Sequence, residues 1–198
     1  MLRTPRLELR PEDDAGLLEL AHEGIHDPSW TPFLQPWTDA PAAELGPNTM
    51  RFFWSQRASL TPERWSINFL IRVDGRVVGT QGFAAGHFAT IREVVSGSWL
   101  GQVHQGQGFG AEMRAAVLML AFDHLDARTA RSEAFVDNPA SLRVSEKLGY
   151  TADGTNTQLR RGETVAEQRV LLTPTSFVRP TWELEVDGLD GCRHQLGV

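Results

Sequence analysis

The chain has very little sulfur chemistry to offer. Its 198 residues include one cysteine, Cys192, which excludes an internal disulfide and fits a reducing cytoplasm. Cys192 lies in the tail, away from any motif, and does not read as a catalytic thiol. No apolar run approaches the roughly 18 residues of a membrane span. Charges interrupt every apolar stretch near the start, so no signal-peptide pattern is read there. A cytoplasmic protein without a membrane role is the expectation. No Cys/His cluster has metal-ligand spacing, so no metal is expected. Internal repeats and low-complexity blocks are missing too.

Positive charge is scarce in the first quarter. Residues 1–50 hold nine acids (Glu8, Glu12, Asp13, Asp14, Glu19, Glu23, Asp27, Asp39 and Glu44) against three bases, Arg3, Arg6 and Arg10. That excess equals the whole net charge of −6. A nucleic-acid binder would show a basic patch instead, so no nucleic-acid partner is expected. Hydrophobic content of 41% and charged content of 22% place the chain among ordinary globular proteins, long enough for one domain with a sizeable core.

What is present is a run of alternating glycines. Trp99-Leu100-Gly101-Gln102-Val103-His104-Gln105-Gly106-Gln107-Gly108-Phe109-Gly110-Ala111-Glu112 ends a strand-like segment and opens a helical one, expected to reach about Leu125. Glycines there let a ligand approach the backbone. The first helical turn adds unpaired N–H groups and partial positive charge, an anion site suited to phosphate or pyrophosphate. A P-loop is ruled out, because Ala111 stands where Lys would follow Gly110. A dinucleotide fingerprint is formally met by Gly106, Gly108 and Ala111, with an acid available at the end of the strand Ala130–Asp137. On the loop alone, a nicotinamide-dependent oxidoreductase stays open.

The next segment is Asp137-Asn138-Pro139-Ala140-Ser141-Leu142-Arg143-Val144-Ser145-Glu146-Lys147-Leu148-Gly149-Tyr150. With it the chain resembles the GNAT superfamily of N-acetyltransferases. The family's Q/R-x-x-G-x-G/A motif is matched by Gln105, Gly108 and Gly110. Its strand ending in Asn, short helix and Leu-Gly-aromatic stop are matched by Asn138, Ser141 and Leu148-Gly149-Tyr150. The opening Leu2–Arg10 is similar to the first strand of the branch that includes ribosomal-protein N-acetyltransferases. The resemblance spans about residues 1–172 and is clearest over 76–150. It implies a single α/β domain, a mixed and mostly antiparallel sheet with two splayed parallel strands, flanked by helices. Residues 173–198 form an extension, one more strand packing on the domain or on a partner subunit of a homodimer.

The pattern predicts strands at 2–10, 65–73, 76–85, 91–101, 130–137, 151–159 and 165–172. Helices are predicted from Pro11 to Glu23, at 48–58, over the glycine-loop helix and at 140–148. Residues 27–48, rich in Pro and Trp, read as a long irregular loop. In the glycine-loop helix, Met113, Val117, Leu120, Ala121 and Phe122 form a core face.

The resemblance implies acetyl-CoA as cofactor and transfer of its acetyl group to a primary amine. The acceptor would be a small cationic metabolite or antibiotic, or a protein N-terminus. Trp99, Leu100, Gly101 and Val103 are assigned to the pantetheine arm. Gln105, Gly106, Gln107, Gly108, Phe109, Gly110 and Ala111 are assigned to the pyrophosphate. Arg143 or Lys147 is a further phosphate contact, or simply a solvated charge. Many family members carry a Tyr seven residues after the Asn, where this chain has Ser145. The ribosomal-protein branch often has a Ser three residues after it, here Ser141. Ser141 is therefore the expected partner of the departing thiolate, with Asn138 positioning the cofactor or a water. Helix capping is the competing role for this pair. The general base should be a carboxylate or His: Glu93 first, His87 and Glu133 after it. Trp30, Phe33, Trp37 and Phe53 are expected at the acceptor pocket, although each also suits a core. The acidic first quarter would attract a cationic amine if it lines the acceptor side. A non-catalytic acyl-CoA sensor remains open because the Tyr is missing.

Overall fold

Leu7 and Leu9 alternate as a strand requires, but Leu2, five residues before Leu7, is out of phase with them, and the chain turns between. The computed structural model describes residues 1–21 and 25–198. It splits the expected 2–10 strand into β1 (Leu2–Arg3) and β2 (Glu8–Pro11). They pair antiparallel, Leu2 against Leu9, across a turn in which Thr4 N–H donates to the Leu7 carbonyl at 3.0 Å. Pro5 presets this turn with its fixed φ. All three leucines are buried, so their spacing reflects two arms facing one core.

Pro11 closes β2 instead of opening a helix. The Asp13 carboxylate accepts from Gly16 N–H at 2.8 Å and caps α1 (Asp14–Leu20). The expected helix end at Glu23 lies outside the described residues. The segment expected to be irregular holds a 3-10 turn at Trp37–Asp39. It also holds the first turns of α2 (Ala42–Ala58), which starts six residues before position 48 and carries Pro47 inside it. As the sixth residue of the helix Pro47 forfeits one intrahelical bond, which a 17-residue helix survives, so composition alone hid those turns.

β3 (Arg64–Val73) and β4 (Arg76–Gly86) form a hairpin around Asp74-Gly75. Both turn residues have positive φ, as a type I′ turn demands. An unforeseen single-turn helix, α3 (Phe88–Ile91), precedes β5 (Glu93–Leu100). The glycine loop then leads into α4 (Phe109–Met119), continued by a π turn over Leu120–His124. β6 (Thr129–Phe135), α5 (Pro139–Lys147), β7 (Thr151–Arg160), β8 (Glu163–Leu172) and β9 (Glu185–Val186) complete the order. Gly149 ends α5 at φ +91°, where a Cβ would fall 2.0 Å from the Ser176 carbonyl oxygen.

The strands make one sheet in the order β7-β8-β6-β5-β4-β3-β2-β1-β9. Among the described residues only β5 and β6 run parallel; the other pairs are antiparallel. A dinucleotide fold needs an open, mostly parallel sheet, so the oxidoreductase alternative does not survive the topology. Neighbouring residues sort to opposite faces, as strand geometry requires. Ile71 and Val78 join the main core with Met113, Val117 and Leu118 of α4. Leu70 and Val77 join a second cluster with Leu17, Leu20 and Phe53 of α1 and α2. The sheet is thus covered on both faces. In the tail, β9 pairs with β1, and the buried Trp65 indole donates to the Leu196 carbonyl at 3.0 Å.

β5 and β6 pair only from Glu93–Thr129 to Val95–Arg131. Beyond that fork β5 follows β4 and β6 follows β8. The Ser132 hydroxyl donates to the Ser96 carbonyl at 2.9 Å, satisfying the first acceptor that the parting strands release.

Candidate functional site

Strand alternation decides which groups the fork frees. Gly101 N–H donates to the Val78 carbonyl on β4 at 2.9 Å. Backbone groups of alternate residues point to opposite neighbours, so Gly97, Trp99 and Gly101 serve β4. Ser96, Ser98 and Leu100 face the gap, consistent with the Ser96 bond to Ser132 and with Gln105 Nε2 donating to the Leu100 carbonyl at 2.9 Å. The donors aimed into the gap are therefore Ser98 and Leu100 N–H. Gly101 was expected there and is committed elsewhere. Val103 sits in the turn Gln102–His104, largely in solvent, off the groove.

The glycine loop keeps its donors. Among the described residues, no backbone N–H from Gly106 to Ala111 donates to a carbonyl; Glu112 N–H closes the first helical bond, to Gly108, at 3.2 Å. Gly106 and Gly108 sit at φ +75° and +85°, a region other residues enter at a cost. A Cβ at Gly106 would meet nothing within 4 Å, so the space beside the loop is open. Six unpaired N–H groups at a helix start fit a pyrophosphate. Of the expected cofactor residues, Trp99, Leu100, Gln105, Gly106, Gly108, Gly110, Ala111, Asn138 and Ser141 line one groove of about 500 Å³. Phe109 is buried in the core. Gln107 does not line the groove; its carbonyl accepts from Arg6 Nη1 at 2.9 Å.

A second cavity, of about 550 Å³, opens on the other side of the fork. The two share Pro32, Ser98, Trp99, Arg114, Asn138 and Ser141. At this junction the Asn138 side-chain oxygen accepts from Ser141 N–H at 3.2 Å and caps α5. Its side-chain oxygen is thereby engaged, while its amide NH₂ makes no hydrogen bond among the described residues. The Ser141 hydroxyl makes no hydrogen bond among the described residues. Ser145 is buried below it, donating to the Ser141 carbonyl at 3.3 Å and accepting from Arg114 Nη1 at 2.9 Å. The sequence reading missed Arg114, which sits among the apolar residues of α4.

Glu93 is not at the junction. It stands at the closed end of the fork, about 16 Å along β5 from Ser98. Its carboxylate accepts from Arg131 Nε at 2.8 Å and the Thr129 hydroxyl at 3.0 Å. His87 precedes α3 and lines a separate cavity beside Trp65. The carboxylates in the 550 Å³ cavity are Glu133 on β6 and Glu167 on β8. Desolvation raises the Glu133 pKa, and the neighbouring Glu167 carboxylate raises it further. Of the three base candidates from sequence, Glu133, one of the two placed after Glu93, is the one that lines this cavity.

Phe33, Trp37 and Phe53 line this cavity, as expected, together with Trp99 and Phe52. Phe33, Trp37 and Trp99 form a cluster with ring centroids 5.4–5.9 Å apart. Trp30 instead borders the 500 Å³ groove and donates to Asp137 at 3.2 Å. Arg160 on β7 holds the covering loop, donating to the Thr31 carbonyl and to Asp137, each at 3.1 Å. Arg161 clasps Asp39. The acids of the first quarter do not reach the cavity: among the described ones, none lines it. Most face arginines elsewhere, as in Glu12–Arg57 and Asp13–Arg72.

Comparison with known proteins gives a consistent result. A family model described as an acetyltransferase (GNAT) domain matches residues 6–151. The fold is shared with RimL, a ribosomal L7/L12 alpha-N-protein acetyltransferase in complex with coenzyme A. The two are 19% identical, with 86% of this chain and 95% of that chain covered at a TM-score of 0.68. A spermidine N-acetyltransferase from Vibrio cholerae, in complex with CoA and spermine, is 14% identical over 89% of this chain and 100% of that chain, at a TM-score of 0.68. A GNAT-family acetyltransferase from Bacillus anthracis is 14% identical over 87% and 98%, again at 0.68. No described helix is long and apolar enough to cross a membrane.

Proposed function

The chain belongs to the GNAT acetyltransferase family and is an acyltransferase enzyme, and on that premise we propose that it moves an acetyl group from acetyl-CoA directly to the primary amine of a small cationic molecule. The observation that carries this reading is the meeting of two unlike cavities at Ser98, Trp99, Arg114, Asn138 and Ser141. One begins at six unpaired N–H groups suited to a pyrophosphate. The other has aromatic walls and two carboxylates, a combination that attracts a cationic amine through ring faces and charge. The spermidine acetyltransferase of like fold supports the same acceptor class.

When bound, acetyl-CoA supplies an acetyl group activated as a thioester. The glycine loop would hold its pyrophosphate, and Ser98 and Leu100 N–H would pair with the pantetheine as a missing strand does. Glu133 takes the proton of the incoming amine, directly or through a water, its raised pKa making it a stronger base than a solvated glutamate. The Ser141 hydroxyl, without a hydrogen bond among the described residues, lines the junction and would protonate the leaving sulfur.

The test has two stages. Thermal unfolding is followed with acetyl-CoA, CoA, NAD and NADP, each near a hundredfold its dissociation constant, where a ligand of the folded state stabilises by about 2.7 kcal/mol. A shift with the two CoA compounds alone is expected. No CoA shift would defeat the proposal. Thiol release is then measured with acetyl-CoA against polyamines, aminoglycosides and peptides with free N-termini. Turnover on a polyamine or aminoglycoside is expected. Turnover on peptides alone would replace the acceptor class, and tight CoA binding without turnover would make the protein a sensor.

A further inference from the structure

Arg114 is the least expected residue of the interior. It lies one turn into α4, its residue is 2% exposed, and it lines both cavities where they meet. Nη1 donates to the Ser145 hydroxyl at 2.9 Å and Nη2 to the Ser98 hydroxyl at 3.0 Å. Nε is buried with no partner. Of the five N–H donors that a guanidinium carries, three are unused. No carboxylate pairs with it among the described residues; burial disfavours its charged form, and the one ionisable group set against that is the Tyr150 phenol, which burial itself keeps protonated. A buried cation with no counter-ion is among the most costly arrangements in a fold. Structural arginines acquire an acid, as Arg6, Arg72, Arg131 and Arg160 do here. Arg114 has two serine hydroxyls, which orient the guanidinium without neutralising it.

Such a charge is useful where negative charge exists only briefly. We propose that Arg114 is a catalytic residue of this site, its guanidinium stabilising the thiolate that leaves when the acyl group is transferred. The inference rests on the acyltransferase reading above and deepens it. In the step, the acceptor nitrogen bonds to the acyl carbon. The carbon–sulfur bond breaks with its electron pair going to sulfur, and the amine proton passes to Glu133 or to water. Sulfur departs as an anion beside Arg114, before Ser141 or solvent supplies a proton. Electrostatic stabilisation set in place before the reaction is worth most in a site closed to water. A serine hydroxyl is a weak acid, and a pre-placed cation removes the need for a strong one. The other ionisable groups lining the two cavities are Glu133, Glu167, Arg143 and Lys147. The acids would raise the pKa of a thiol there. Arg143 and Lys147 are exposed on α5 and are screened by water.

The deciding readout needs neither acceptor nor turnover. The thiol of CoA bound to the enzyme is titrated through the ultraviolet absorbance of its thiolate, while calorimetry confirms binding. In the wild type the bound thiol should ionise about one to three pH units below that of free CoA. Arg114→Gln and Arg114→Met should bind CoA with little loss and bring its thiol back to or above the free value, with kcat falling at least about a hundredfold. Arg114→Met should also unfold at no lower temperature than the wild type, because it removes an unpaired buried charge. It carries the experiment if the glutamine variant fails to fold. A bound thiol that ionises at the same pH in wild type and Arg114→Met overturns the proposal and leaves the acyltransferase reading intact. Failure of the wild type to bind CoA overturns both.

Discussion

Arg6 Nε donates to Glu112 Oε2 at 2.7 Å, tying the first turn of the chain to the first turn of the helix behind the glycine loop. The same guanidinium donates from Nη1 to the Gln107 carbonyl at 2.9 Å and would lie 3.2 Å from a Cβ at Gly108. Glu112 also accepts from the Thr4 hydroxyl at 2.6 Å and from Arg6 N–H at 3.1 Å. A carboxylate in the first turn suits the helix dipole but opposes an incoming phosphate. Arg6 neutralises it and braces the loop from behind.

Arg6→Ala should therefore affect folding and cofactor binding together. The Glu112 side chain is 7% exposed and would lose its charged donors. Chemical denaturation should show a loss of about 2 kcal/mol. Calorimetry should show weaker CoA binding, because the Gln107 carbonyl is released. A variant with unchanged CoA affinity would show that the brace is structural only.

Ser141 and Asn138 share a hydrogen bond but should fail differently. The Ser141 hydroxyl holds nothing together among the described residues, so Ser141→Ala should keep its unfolding midpoint and lose about a hundredfold in kcat. Asn138→Ala removes the α5 cap and should lose about 1 kcal/mol of stability. Equal stability losses in both variants would contradict this division.

The acid limb of kcat/KM should belong to Glu133. Desolvation, then the charge of Glu167, raises its pKa above the ordinary carboxylate value. Activity should rise with pH as this proton leaves, above the range of a solvated glutamate. Glu167→Gln removes a neighbouring negative charge, so the limb should move to lower pH. Glu133→Gln should abolish it. A limb unmoved in both variants would exclude Glu133 as the base.

The loop over the acceptor cavity should loosen when its clasp is cut. Arg160→Ala frees the Thr31 carbonyl and Asp137. The acceptor KM should rise severalfold, with only about 1 kcal/mol of stability lost, since nearly half of the Asp137 side chain is in water. Arg160 depresses the Asp137 pKa and Arg161 that of Asp39. A depressed carboxylate pKa contributes above its ordinary value and is lost as pH falls through the folded one. The clasp should thus be independent of pH near neutrality and weaken only in acid below about pH 4. Proteolysis of residues 27–41 across that range checks it.

Local signals were the legible ones. The glycine run and the Asn138 to Tyr150 segment each act within one turn, so residue order alone carries them. The parallel strand pair follows only from the family resemblance that those segments carry. What depends on pairing register was hidden. A sequence shows that Glu93 begins a strand but not at which end that strand parts from its neighbour. The backbone direction of Gly101 likewise depends on its pairing with β4. Reading 2–10 as one strand passed over the turn that the odd spacing from Leu2 to Leu7 requires if both arms bury leucine, and Pro47 concealed a helix that tolerates it. Arg114 was masked by the apolar residues around it. The acid excess of residues 1–50 was real in sequence but is spent on arginines elsewhere.

The fork makes the sheet a mechanical joint. Six strands from β9 to β5 and three from β6 to β7 are riveted at one end by three residue pairs, the Ser132–Ser96 bond and the Glu93 carboxylate's bonds to Arg131 and Thr129. Beyond those rivets no backbone ladder crosses the seam among the described residues, and the two leaves are joined by the core they share with α4, whereas within each leaf long antiparallel ladders run. The amides of Ser98 and Leu100, on the open side of the seam, should exchange with solvent far faster than those of Trp99 and Gly101 on the same strand. A molecule lying along the seam and bonding to both leaves would act as a splint, stiffening a joint that the chain by itself leaves compliant.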